Sequence, residues 1–185
     1  MKKIILTFVM ALFAVGAFAQ NDEVTGVRIP NGYQGFLELG NSWHFDNNMN
    51  ATIQLSTTHG FYFNEHMYAG LGAAAEWNSD YFLMPLYANI RYVFMSHSAV
   101  NPIVSLRLGS YISDNMGAYG DLAAGVRFAS KRDFAVSILL TGTYYGNITR
   151  TYNEHWEDAQ GIYHYEMVER QINPSGIGLR VGIEW

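Results

Sequence analysis

The sequence lacks cysteine altogether and contains very little lysine or proline. Of its 185 residues four are Pro, and Lys occurs only at Lys2, Lys3 and Lys131. Without cysteine the chain can form neither a disulfide nor a thiolate metal site, and we expect no lipoprotein anchor. A soluble domain normally covers itself with charged residues, whereas here 15% of the residues are charged and 15% are aromatic. Something other than water is therefore expected to cover much of the surface.

The first residues have the pattern of an export signal. Lys2 and Lys3 precede an apolar run from Ile4 to Phe18, which ends in the small-x-small sequence Ala17-Phe18-Ala19. The run is too short for a membrane-spanning helix, which needs about 20 apolar residues. The pattern predicts a cleaved signal peptide over 1–19 and a mature domain over 20–185. The alternative is an N-terminal helix buried in a core.

The net charge excludes one class of partner. The chain carries a formal charge of −5, and cleavage would remove two lysines and no acidic residue, so the mature domain is more acidic still. Because binding to nucleic acid depends on neutralising phosphates with basic side chains, we expect no nucleic-acid partner.

No later segment is apolar over the length of a transmembrane helix. The other architecture that satisfies all backbone hydrogen bonds within a bilayer is a closed β-barrel. Its strands alternate apolar and small or polar residues over about ten positions. Eight segments of the chain alternate in this way: Gly32–Asn41, Ala51–Phe61, Met67–Trp77, Tyr81–Phe94, Ile103–Ile112, Tyr119–Phe128, Phe134–Tyr145 and Ser175–Trp185. The sequence therefore predicts an all-β fold, an eight-stranded antiparallel up-and-down transmembrane β-barrel.

The charged residues within these segments all fall on the small or polar face. They are Glu38, Glu76, Arg91, Arg107, Asp121, Arg127, Arg180 and Glu184. A basic residue on a lipid-facing surface near the bilayer midplane costs about 2–4 kcal/mol, so a barrel in lipid should direct strand charges inward. Four arginines balance four acids, which suits a packed interior in which buried charges are paired. We predict a structural role for these charges, with a narrow ion or proton path as the alternative.

A soluble β-sandwich or lipocalin-like barrel would place the two faces the other way round. Its water-facing side would then carry mostly Gly, Ala, Ser, Thr and Tyr with scattered Arg. A sheet that faces water usually carries Lys and Glu, partly to block pairing at its edges. The pattern favours lipid outside and a tightly packed interior.

The connections alternate between short turns and longer links, as expected when both ends of a barrel lie in the periplasm. The long polar stretch Gly146–Pro174 is predicted to be an external loop, in which residues 162–169 alternate and favour strand extensions above the membrane. Pro85 should mark a bulge or a strand end, because proline cannot donate to a β-ladder. Aromatic residues near strand ends suggest two interfacial girdles: Trp43, Phe61, Trp77, Tyr81, Tyr92, Phe94, Tyr111, Phe128, Phe134 and Trp185.

The carboxyl-terminal sequence Gly-x-x-Val-Gly-Ile-Glu-Trp resembles the assembly signal of bacterial outer-membrane barrels. Its residues are Gly178, Val181, Ile183 and Trp185. The region 20–185 resembles the small outer-membrane β-barrel domain proteins of Bacteroidetes, with an eight-stranded architecture like that of OmpA-type and OmpX-type barrels. The resemblance implies residence in the outer membrane and insertion by the barrel-assembly machinery. It implies little about activity.

The predicted external loop holds the candidate contact residues: Tyr152, His155, Trp156, Tyr163 and Tyr165. Exposed aromatic residues suit contact with protein, glycan or lipopolysaccharide. A divalent-metal site is an alternative, formed from Glu154, His155, Glu157, Asp158, His164 and Glu166. Their spacing is not diagnostic, so we predict no metal and no other cofactor.

Two kinds of eight-stranded barrel modify lipid A and provide the enzymatic alternative. The deacylase type is marked by a His-x-Ser arrangement, whereas His97 and Ser98 are adjacent here and lie in a predicted periplasmic turn. The palmitoyl-transfer type needs an internal pocket for an acyl chain, which a charged interior disfavours. We predict a structural or surface-interaction barrel that is not an enzyme and has no open pore. A lipid A-modifying enzyme and a barrel that binds a small ligand remain as alternatives.

Overall fold

A computed structural model describes residues 32–45, 50–79, 81–94, 98–112, 116–129, 134–157 and 163–185, with side chains outside 150–164. The predicted signal peptide lies outside these residues. The strands are β1 (Gly32–His44), β2 (Thr52–Tyr62), β3 (Met67–Trp77), β4 (Phe82–Val93), β5 (Val100–Ile112), β6 (Gly117–Ala129), β7 (Ala135–Tyr145), β8 (Ile148–Glu157), β9 (Tyr163–Ile172) and β10 (Ser175–Glu184).

Eight of these strands form one closed antiparallel barrel in the order β1-β10-β7-β6-β5-β4-β3-β2. Pairing of the first strand with the last closes the ring, with Leu39 opposite Val181. The predicted fold class is confirmed, and each alternating segment corresponds to a barrel strand. We call the end where β1 begins and β10 ends the terminal end, and the opposite end, which carries β8 and β9, the hairpin end. Among the described residues no helix is long and apolar enough to cross a membrane.

The two faces of the barrel differ in the sense that the alternation predicted. Leu106, Ile138 and Val181 point outward and are 38%, 48% and 49% exposed, respectively. Arg107 and Arg180 point inward and are 0% and 2% exposed. Because successive side chains of a strand project to opposite faces, one choice of register sends every apolar residue of this set outward and every charge inward.

The aromatic residues near strand ends are mostly on the outer wall, but one assignment is wrong. Tyr111 is 1% exposed and faces the interior. Tyr111 is four residues from Arg107 in β5, so both side chains point to the same face of the strand. This alternation decides the direction of Tyr111 although it lies near the end of the strand. Tyr81 is partly buried and packs against the interior cluster at the hairpin end. The outward set includes Trp43, Phe61, Trp77, Tyr92, Phe94, Phe128, Phe134 and Trp185.

Pro85 lies inside β4 and forms neither a bulge nor a strand end, so that prediction is wrong. It sits opposite Tyr111 of β5. On its other side the β3–β4 register is the same before and after the interruption, since Glu76 faces Leu83 and Ala73 faces Leu86. The ring therefore tolerates the proline by leaving out pairing on one side of the strand, without inserting a residue.

The stretch predicted as a long loop is mostly a β-hairpin. Strands β8 and β9 pair as a separate two-stranded sheet, which agrees with the expected strand extensions. Tyr144 lies opposite Ser175 below the junction and Ile148 opposite Ile172 above it. From Tyr144 to Ile148 the chain advances four residues, whereas from Ile172 to Ser175 it advances three, so the junction is a β-bulge with one extra residue. Asn147 lies at this bulge and has a positive φ of 62°.

A glycine of the terminal strand is required by close backbone approach. A Cβ on Gly178 would lie 1.8 Å from the carbonyl oxygen of Asn41, whereas one on Gly142 would meet nothing nearer than 3.8 Å. Crowding of this kind costs about 1–3 kcal/mol. We expect Gly178→Ala to lower the free energy of unfolding by that amount and Gly142→Ala to change it little, measured by urea titration of the refolded protein. Equal effects of the two substitutions would contradict this steric explanation.

Candidate functional site

The barrel interior is the largest concentration of polar chemistry in the described part of the chain. All eight charged residues singled out from the sequence lie inside, each at most 4% exposed. An eight-stranded barrel has an interior just wide enough for side chains. The charges occupy three levels along the barrel axis.

Near the terminal end Arg127 and Glu184 form a two-pronged ion pair. Nε and Nη2 of the arginine donate to the two carboxylate oxygens at 2.7 and 2.9 Å. Nη1 donates to the side-chain oxygen of Asn101 at 3.1 Å. This geometry satisfies both carboxylate oxygens and most guanidinium donors, which is the condition under which a buried ion pair is tolerated.

At mid-height one carboxylate serves two arginines. Nη2 of Arg91 donates to Oε1 of Glu38 at 2.7 Å, and Nη2 of Arg107 donates to its Oε2. The two guanidinium groups also lie over aromatic rings: Arg91 is 3.9 Å from the centroid of Phe36 and Arg107 is 4.7 Å from that of Tyr87. Ring faces attract cations, so they offset part of the second positive charge.

A second ion pair at mid-height joins two strands that have one strand, β7, between them. Nη2 of Arg180 in β10 donates to Oδ2 of Asp121 in β6 at 2.6 Å. Both side chains are buried, at 2% and 0% exposure. Strands β10 and β6 are not neighbours in the ring, so this pair and those of Glu38 cross the lumen and fill it.

The remaining acid, Glu76, has no arginine partner among the described residues. It accepts hydrogen bonds from Thr52 Oγ1 at 2.7 Å, from Gln54 Nε2 at 3.2 Å and from the hydroxyl of Tyr145. Four arginines and four acids are therefore not paired one to one. Two of the four arginines bind Glu38, so no arginine is left for Glu76, and neutral donors satisfy its carboxylate instead.

Buried tyrosines line the interior on either side of the ionic levels; the sequence pattern placed tyrosine on this face without singling out these residues. Tyr119 and Tyr145 lie 5.6 Å apart between ring centroids at the hairpin end, and Tyr111 donates to the carbonyl of Gly146 at 2.7 Å. The signal was available, since the six tyrosines fall on the small or polar face of their alternating strands: Tyr62, Tyr68, Tyr87, Tyr111, Tyr119 and Tyr145.

The residues that resemble an assembly signal divide between the two faces. Gly178 faces the interior, whereas Val181, Ile183 and Trp185 point outward. Backbone hydrogen bonds in both directions join Trp185 to Gly35, at 3.0 and 3.1 Å. Val181, Ile183 and Trp185 thus form an apolar row on the outer wall, and the backbone of Trp185 helps to close the ring.

The candidate contact residues all lie in the β8–β9 hairpin. His155 is opposite Tyr165, Trp156 opposite His164, Glu157 opposite Tyr163 and Tyr152 opposite Val168. Tyr165 is 74% exposed; the side chains of the other four lie outside the described ones. No group of three potential metal ligands is found among the described residues, and Asp158 and most of the other loop side chains weighed as ligands lie outside that set.

Comparison with known proteins bears on the fold. No protein-family model and no curated protein matches the chain. Among solved structures it is similar to Neisserial surface protein A, with 14% identity and a TM-score of 0.56 over 82% of this chain and 94% of that one. Two others have TM-scores below 0.5, too low to carry weight. They are the N-terminal β-barrel domain of Pseudomonas aeruginosa OprF (14% identity, TM-score 0.49, 84% and 100% coverage) and a major outer membrane protein from Thermus thermophilus (13%, 0.44, 83% and 98%). The closed eight-stranded barrel of this chain is therefore similar in fold to Neisserial surface protein A.

Proposed function

We propose that the protein is an integral outer-membrane barrel that presents the β8–β9 hairpin to the outside and conducts nothing through its lumen. One observation carries the proposal: the ionised groups of the strands are buried inside, while the outer wall is predominantly apolar. Large exposed apolar patches are rare on soluble monomers. On a closed barrel such a wall is the surface that meets hydrocarbon.

The orientation follows from the two ends of the barrel. The terminal end has short turns and the hairpin end has the long hairpin, which matches the periplasmic and external sides of bacterial barrels. A hairpin on the external side would meet lipopolysaccharide and molecules from the surroundings. Its base is anchored, since Ile148 is 7% exposed and packs against the tyrosines of the hairpin end. The outward-facing apolar side chains of β10 are where the barrel-assembly machinery would bind during insertion.

The filled lumen supports a structural role for its charges. Buried ion pairs occupy the interior at mid-height, and a charged interior disfavours an acyl chain of the kind that a lipid A palmitoyl-transfer enzyme would bind inside. Lipid modification and binding of a small ligand remain the second class of function, but no observation on the interior favours either.

Single-cysteine labelling tests the placement directly, because the natural chain has no cysteine to interfere. Met167 in the hairpin is 77% exposed and Phe63, in the turn after β2, is 72% exposed. We expect a membrane-impermeant maleimide to label Met167→Cys in intact cells and to leave Phe63→Cys unlabelled. After lysis both should react.

Phe63→Cys is the matched control, since its exposure is similar and it lies at the other end of the barrel. Each variant should also migrate differently on gels with and without boiling, which shows that the barrel has folded. Labelling of both positions in intact cells, or recovery of the protein in the soluble periplasmic fraction, would contradict the proposed function.

A further inference from the structure

The outer wall carries one polar cluster among its apolar residues. His59 of β2 projects outward and is exposed, as are its neighbours Tyr33 and Phe61. In the alternation of β2 its position belongs to the lipid-facing set with Ile53 and Leu55. A polar ring on that surface needs its hydrogen bonds satisfied by the protein or by a lipid.

Both ring nitrogens of His59 have a hydroxyl partner. The Tyr33 hydroxyl lies 2.6 Å from Nδ1, and Thr57 Oγ1 lies 3.0 Å from Nε2. Tyr33 comes from the neighbouring strand β1 and Thr57 from β2 itself. The imidazole is therefore held between two hydroxyls of fixed position.

Aromatic rings hold the imidazole from the sides. Tyr33 stacks on it with centroids 6.0 Å apart and an interplanar angle of 19°, and Trp185 meets it edge-on at 6.3 Å. Gly35, opposite His59 in the register, leaves the space that the Trp185 ring fills, since a Cβ there would lie 2.8 Å from that ring. The cluster is thus built from three adjacent strands and lies at the terminal end of the wall.

Counting hydrogens shows what this cluster can bind. An imidazolium donates from both nitrogens, so Tyr33 and Thr57 would both accept from it. Each hydroxyl then keeps its own hydrogen for another acceptor. The result is one positive charge flanked by two O–H donors, which suits an anionic oxygen group. A neutral imidazole would leave only one of the two hydroxyl hydrogens available.

Catalysis is not favoured by this arrangement, although a hydroxyl next to a histidine suggests a nucleophile and its base. Cleavage of an ester needs donors for the oxyanion. The backbone around His59 is engaged in the β1–β2 and β2–β3 ladders. If a hydroxyl of the cluster attacked and His59 took its proton, these groups could not also donate to the oxyanion, and the neighbouring backbone N–H groups are already paired.

We propose that Tyr33, Thr57 and His59 form a binding site on the barrel wall for the phosphodiester group of a phospholipid. The choice of a lipid rests on the proposed function, because whatever contacts this face of an inserted barrel is lipid. At the terminal end, that lipid belongs to the periplasmic leaflet. The aromatic residues beside the cluster lie where interfacial girdles meet headgroups.

The test is a titration of the isotope-labelled protein, refolded in dodecyl maltoside micelles. The probe is dihexanoyl phosphatidylglycerol, followed by backbone amide shifts. We expect saturable shifts at Gly35, Thr57 and His59. His59→Gln should weaken the affinity about tenfold or more, because it removes the charge. Dihexanoylglycerol, which lacks phosphate, should give no saturable shift.

His66 supplies the matched control at the same end of the barrel. It stacks on Tyr92 at 5.7 Å, but its Nδ1 bonds the backbone oxygen of Val93 at 2.7 Å instead of a hydroxyl. His66→Gln should therefore leave the affinity unchanged. Thr57→Val, which removes one hydroxyl, should weaken binding and decides the matter if His59→Gln does not refold.

Three results would overturn the proposal: no saturable shift with phosphatidylglycerol, equal affinity of His59→Gln and the natural protein, or saturation by inorganic phosphate at the same concentration. The last would show a site for free phosphate and not for a lipid. Because the titration is done in micelles, its failure is distinct from a failure of the cysteine labelling, which concerns the proposed function.

Discussion

Glu38→Gln is expected to be the most damaging conservative substitution in the barrel. It keeps the size of the side chain but removes the negative charge that Arg91 and Arg107 share. Removing one partner of a buried ion pair costs about 3–5 kcal/mol, because the other charge stays buried without compensation. We expect a loss of that size in the free energy of unfolding, measured by urea titration of the protein in phospholipid vesicles.

Glu76→Gln is the matched control for this prediction. Glu76 is equally buried, but its partners are hydroxyls and an amide, which can reorient to meet a neutral side chain. A loss about half that of Glu38→Gln or smaller is expected. If the two substitutions cost the same, the stabilisation would come from filling the lumen and not from the shared carboxylate.

Leu106→Arg is expected to have the second largest effect and tests what covers the outer wall. Leu106 lies mid-strand in β5 and is 38% exposed. A basic residue near the bilayer midplane costs about 2–4 kcal/mol, whereas on a surface in contact with water the substitution would be nearly neutral. We expect that loss in vesicles, together with reduced insertion seen as a smaller heat-modifiable fraction on gels.

Met167→Arg in the hairpin provides the comparison in water. Its side chain is 77% exposed, and the substitution should leave the free energy of unfolding nearly unchanged. A Leu106→Arg protein as stable as Met167→Arg would mean that water, and not hydrocarbon, contacts the wall, and the membrane proposal would then be wrong.

The faces of the strands could be predicted from the sequence, whereas the partners of the buried charges could not. Alternation with period two assigns Arg91 and Arg107 to the interior whatever the exact pairing. Their shared partner Glu38 lies across the lumen on β1, which neighbours neither β4 nor β5. The heights at which non-adjacent strands meet depend on the stagger of the whole ring, and the sequence pattern carries no information on that stagger.

Two local features escaped prediction for similar reasons. The bulge at Asn147 adds one residue to one side of a polar hairpin, where no apolar pattern marks the register. The alternation of Ala51–Phe61 puts the polar residue His59 on the apolar face, but its hydrogen bond to Tyr33 depends on how β1 and β2 align. The sequence shows the unusual position of His59 but does not show that Tyr33 is its hydrogen-bond partner.

The β8–β9 hairpin forms a sheet of its own, while β10 pairs directly with β7 beneath it. Every strand of the barrel therefore stays paired with both of its neighbouring strands, whatever sequence connects Asn147 to Asn173. Such a junction tolerates insertions, deletions and rapid divergence at little cost to the cylinder. It is also the position at which a foreign peptide could be inserted without disturbing the barrel, and in the proposed orientation that peptide would lie outside the cell.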